Sequence, residues 1–149
     1  MCVCILQPPG QRAGKRRLQR CFATNPQGAR YMFAVRGQLH IKKGYFGFDR
    51  LLRDLRADMT RHPDVAYGIH FRIATAGEVN AANCHPFKVD GDVGMIHNGM
   101  LPAVKVPAKS TMSDTAVFAR DLARLFDLPG RSVHRSASAS LDHRTAKAI

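Results

Sequence analysis

Short β-rich runs separated by tight turns, interleaved with amphipathic helical stretches, predict an α+β fold for this chain. Two dipeptides carry the strand pairing. Arg36-Gly37 and Asp90-Gly91 each sit between β-prone runs, a hairpin signal. The helical signal lies in Phe48, Leu51, Leu52, Leu55 and Met59, spaced mostly by three and four with Arg and Asp on the other side. With 149 residues and 45% hydrophobic content, the chain can bury one core.

Taken in order, residues 2–7 read as a strand, stopped by Pro8-Pro9-Gly10, which cannot continue a ladder. Residues 11–22 are basic, with Leu18 and Phe22 at helical spacing, and predict a short helix. After the turn Asn25-Pro26-Gln27-Gly28 comes a hairpin over 31–35 and 38–42. A helix over 48–62 ends before Pro63. Residues 65–75 form a long β-rich run, and 88–89 with 93–97 make a second hairpin. A loop holding Pro102 and Pro107 spans 100–112. Ser113 then offers an N-cap to a helix with Val117, Phe118, Leu122, Leu125 and Phe126 on its apolar side. From residue 129 to 149 the chain is rich in Ser, Arg and Ala without apolar periodicity, the composition of a disordered tail. The chain thus divides into a domain over 1–128 and this tail.

The net charge of +12 raises nucleic acid as a partner. Its distribution argues against one. Arg12, Lys15, Arg16, Arg17 and Arg20 form one cluster that reads as a solvated helix face, and no aromatics interleave with the cations to stack bases. No run approaches the roughly 18 apolar residues of a membrane span. With no basic segment leading into a long apolar stretch at the start, a cytoplasmic protein is expected. The four cysteines, Cys2, Cys4, Cys21 and Cys84, make no evenly spaced framework and read as free thiols. A zinc site from Cys2, Cys4, Cys84 and His85 lacks finger-like spacing, so no metal is expected.

Several short motifs carry chemistry. Cysteine is small enough that removal of Met1 leaves Cys2 first in the chain. A terminal cysteine joins a nucleophilic thiol to an α-amine whose pKa of about 7.7–8.0 suits an adjacent base. Arg72 stands in the apolar run Ile69-His70-Phe71-Arg72-Ile73-Ala74-Thr75. Asn83-Cys84-His85-Pro86-Phe87, Ile96-His97-Asn98-Gly99 and Ser113-Asp114-Thr115 follow. A buried Arg needs an anionic partner, though a strand can also turn such a residue to solvent. Asn98-Gly99 can aim a side-chain amide and a backbone N–H at one point, and is equally an ordinary strand-ending turn. Asp114 reads either as a capping acid or as a ligand for an ammonium group. His97 reads as a packing histidine.

Together Cys2, His70-x-Arg72-x-Ala74-Thr75, His85-Pro86, His97-Asn98-Gly99 and Ser113-Asp114-Thr115 resemble a class II glutamine amidotransferase domain, of the N-terminal nucleophile hydrolases. The resemblance runs from Cys2 to Leu125. It implies an αββα four-layer sandwich, here incomplete at its C-terminal end because the expected continuation past residue 128 is missing, as in a truncated or frame-shifted member. It implies L-glutamine as substrate and no cofactor, with Cys2 as nucleophile and Asn98 and Gly99 as the oxyanion hole. Arg72 and Asp114 would hold the α-carboxylate and α-ammonium, and Thr75 and His85 would line the pocket. Ammonia would pass to an unidentified synthase partner, or the domain would act as a stand-alone glutaminase. The chain departs from the family pattern at Ala76, where His is common, and at Gln27 and Arg30, where the early turn usually carries Asp and Gly. Two other readings stand beside this one: an inactive remnant of the same fold, and a small basic nucleic-acid-binding protein.

Overall fold

The computed structural model of the chain describes residues 1–75 and 77–127, with the backbone alone described at Phe126. The tail over 129–149 and the departure at Ala76 lie outside the described residues. The elements are β1 (Val3–Gln7), α1 (Lys15–Thr24), β2 (Ala29–Val35), β3 (Gln38–Tyr45), α2 (Phe48–Arg61), β4 (Tyr67–Phe71), β5 (Phe87–Lys88), β6 (Gly94–Met95) and α3 (Asp114–Phe126). The fold class is α+β. Four strands form an antiparallel sheet in the order β1-β4-β2-β3, and β5 pairs with β6 in a second, two-stranded sheet.

Strand alternation gives the larger sheet two different faces. Ala29, Tyr31 and Phe33 of β2 and Tyr67, Ile69 and Phe71 of β4 point to one side, where they meet Leu18 of α1 and Leu51, Leu52, Leu55 and Met59 of α2. Each leucine buried there stabilises the fold by roughly 1.5–3 kcal/mol. Buried polar contacts fix how α2 lies on the sheet. The Tyr31 hydroxyl donates to Asp58 at 2.7 Å, and the Tyr45 hydroxyl donates to Asp54 at 3.2 Å. Lys15, Arg16, Arg17 and Arg20 of α1 are exposed and form a solvated helix face, whereas Arg12 precedes the helix and donates to the Met59 carbonyl at 3.2 Å.

The opposite face presents Cys4, Arg30, Met32, Gly68 and His70. Against it packs the β5–β6 layer: a Cβ added to Gly94 would lie 2.6 Å from Met32 Sδ, and one added to Gly68 would lie 2.8 Å from the Ile96 side chain. Helix α3 packs on β5. The layers therefore run helices, large sheet, small sheet, helix.

Three predicted elements are shorter than their patterns. Helix α1 begins at Lys15 because the residues before it are committed to a turn. Gly10 has φ of 72°, Gln11 N–H donates to the Pro8 carbonyl, and Ala13 N–H donates to Gln7 Oε1 at 2.7 Å. Strand β4 ends at Phe71. Arg72 N–H still donates to the Gly28 carbonyl and its own carbonyl accepts from Gln27 N–H, but Pro26 has no N–H to extend the ladder. The Gln27 side chain takes over, accepting from Ala74 N–H at 2.5 Å. In the small sheet, Phe87 pairs with Met95, and Pro86 again offers no donor for further pairing. The Ser113 N-cap is as predicted, its hydroxyl accepting from Ala116 N–H at 3.2 Å.

Candidate active site

Cys2, Arg72, Thr75, His85, Gly99 and Asp114 line one small cavity, together with His70, Ile73, His97, Ser113 and Thr115. Asn98 is exposed and does not line it. The walls come from five stretches of chain. The start of β1 supplies Cys2, the end of β4 supplies His70 to Thr75, and the turn before β5 supplies His85. The segment after β6 brings His97 and Gly99, and the start of α3 brings Ser113 to Thr115. The space enclosed is about 20 Å3, room for about one water molecule.

Cys2 sits where β1 and β4 part. Its half-buried Sγ lies 3.3 Å from the Ile73 carbonyl, to which it donates, and 3.4 Å from Ile73 N–H, from which it accepts. Met1 is 91% exposed. Cys84 is buried instead, and burial pushes its thiol up, away from the thiolate a nucleophile needs.

Arg72 is buried, and its guanidinium donates to the carbonyls of Glu78 at 2.9 Å and Gly77 at 3.5 Å. These bonds clamp the 77–78 loop onto the end of β4. Across the cavity, the Asp114 carboxylate accepts from Thr115 N–H and from Leu101 N–H, both at 2.7 Å. The first bond lies at the start of α3, where the helix dipole favours a negative charge. Arg72 and Asp114 thus line a common space.

Stacked histidines form the cavity's inner wall. The rings of His70 and His85 are 4.3 Å apart between centroids. His85 Nδ1 accepts from His97 N–H at 3.3 Å, which leaves its proton on Nε2. Neither ring nitrogen of His70 has a hydrogen-bond partner among the described residues. Burial pushes His70 down to about 3, with His85 and Arg72 adding to it, and burial pushes His85 down to about 4. Both are neutral at pH 7. His97 lines the cavity with Nδ1 3.4 Å from the Thr115 hydroxyl.

One supporting residue, quoted in a motif, has no role assigned by the sequence. Buried Asn83 donates through Nδ2 to the carbonyls of Thr111 at 2.6 Å and Glu78 at 3.1 Å, and accepts on Oδ1 from Ser113 N–H at 2.8 Å. It ties the loop held by Arg72 to the cap of α3. No short-range pattern marks an Asn with that role. His70 could have been found, because it and Arg72 are two residues apart and so share a strand side. Of the departures, Arg30 lies in β2 and is not among the residues with positive φ, so a side chain is accommodated there.

Comparison with family models, curated proteins and solved structures returns no match for this chain.

Proposed function

We propose that this chain is a class II glutamine amidotransferase-type domain that hydrolyses the side-chain amide of L-glutamine. The reading rests on its residue motifs and on one observation: Cys2, Arg72 and Asp114, from distant parts of the sequence, line a common cavity. The sequence of layers, with helices outside two sheets, is compatible with the αββα sandwich that this reading carries, the second sheet being only β5 and β6.

The chemistry follows from those groups. With Met1 removed, the α-amine of Cys2 takes the thiol proton, and the thiolate attacks the amide carbon. Negative charge on the carbonyl oxygen is met by Gly99 N–H and by Asn98, which turns in over bound substrate. The amine returns the proton to the departing nitrogen, and ammonia leaves. Water then attacks the thioester, giving glutamate and the free thiol. Arg72 holds the α-carboxylate as a fork of N–H donors, and Asp114 accepts from the α-ammonium in place of Leu101 N–H. Thr75 and His85 shape the pocket. Glutamine is far larger than the enclosed space, so the segment from Asn98 to Leu101, exposed as far as Met100, opens to admit it. Ammonia passes to a separate synthase partner.

That small volume, with Asp114 already bonded to Leu101, favours a second reading: a remnant of the same fold that no longer turns over. Labelling with a glutamine-mimicking diazo-ketone separates the two. The first reading expects one adduct, with loss of dinitrogen, on a peptide beginning at Cys2, and none after Cys2→Ala. Unlabelled protein with Met1 retained, or an adduct on Cys4 or Cys21, rejects it.

A further inference from the structure

Away from the Cys2 cavity, a groove of about 430 Å3 opens between the two sheets at β3, one of the two outer strands of the large sheet. Leu39, Ile41 and Lys43 of β3 line it beside Arg30 of β2, and Phe87 and Lys88 of β5 face them. Its size falls in the range of about 300–1,000 Å3 usual for small-molecule sites. Among the described residues, three cations line the groove and no carboxylate does.

Arg30 decides what such a groove takes. The residue is 4% exposed, and its Nη1 donates to the Pro86 carbonyl at 3.1 Å, bridging the two sheets. Its Nε has no hydrogen-bond partner among the described residues. A buried guanidinium with one N–H unpaired is costly, and a negative charge in the groove beside it offsets part of that cost. Lys43 and Lys88 are exposed and place further positive charge at the mouth. Leu39, Ile41 and Phe87 supply the apolar surface that a bare inorganic anion would leave unused.

We propose that this groove binds a small carboxylate with an apolar tail, its head group held by Arg30, Lys43 and Lys88 and its tail against Leu39, Ile41 and Phe87. The proposal stands apart from the amidotransferase reading, since the groove and the Cys2 cavity share no lining residue.

Calorimetric titration of the full chain with octanoate, 1-octanol and acetate tests it. Octanoate binds one per chain, more weakly as salt rises, while octanol, lacking the charge, and acetate, lacking the tail, each bind at least about tenfold more weakly. The double variant K43E/K88E, checked for folding by circular dichroism, weakens octanoate by about tenfold or more. Octanol binding as tightly as octanoate overturns the proposal, as does the absence of saturable octanoate binding or an unchanged affinity in K43E/K88E. Arg30→Met can also unfold the chain by cutting the bridge to Pro86, so the ligand series on the unaltered protein decides by itself.

Discussion

Acid should unfold this protein through the paired histidines beneath the Cys2 cavity. An unfolded chain protonates histidine below about 6.5, whereas burial holds His70 at about 3 and His85 at about 4 in the folded state. The unfolded state therefore binds more protons between those limits, and stability falls as the pH drops through the window. At pH 5 both rings are still neutral when folded, so the loss does not depend on where in the acid range they titrate. Lowering the pH from 8 to 5 then removes about 2 kcal/mol for each histidine, about 4 kcal/mol together. That is a large share of the roughly 5–15 kcal/mol that stabilises an ordinary domain. The test is urea unfolding followed by circular dichroism across this range, on the unaltered chain and on His70→Leu. The variant removes one of the two titrating rings, along with a buried ring whose nitrogens lack partners among the described residues. Its stability at pH 8 should fall little, and its loss on acidification should shrink to about 2 kcal/mol. An acid loss equal to that of the unaltered chain would refute the reasoning, as would a rise in stability on acidification.

Asn83→Ala leaves the carbonyls of Glu78 and Thr111 and the N–H of Ser113 without their buried partner, and should destabilise the fold by about 2–4 kcal/mol in the same unfolding assay. A loss under about 0.5 kcal/mol would show that these loops do not depend on it. Gly28→Ala meets a φ of 117° and two close neighbours, since the new Cβ would lie 2.5 Å from Cys84 Sγ and 3.2 Å from Phe46 Cε1. It should cost more than about 2 kcal/mol, and adding Cys84→Ala should restore only part of the loss, because the backbone strain and the Phe46 contact remain. A double-mutant cycle with no coupling between the two sites would count against that contact.

Much of this protein is written locally. The spacing of Leu51, Leu52, Leu55 and Met59 determined α2 and its buried side, Arg36-Gly37 determined the first hairpin, and Ser113 determined where α3 starts, because each depends on residues within a turn or two of one another. Motif order was also enough to single out Cys2, Arg72, Thr75, His85, Gly99 and Asp114, which the fold brings to one cavity. Tertiary structure decided the rest. Strand β4 stops at Phe71 because of what Pro26 and Gln27 offer across the sheet, and no reading of residues 65–75 contains that fact. The neutral state of His70 and His85, the outward position of Asn98, the loop clamp by Asn83 and the cationic groove around Arg30 arise from contacts between segments far apart in the chain. Desolvation and hydrogen-bond satisfaction are properties of the assembled interior, so a sequence can name such residues without saying what surrounds them.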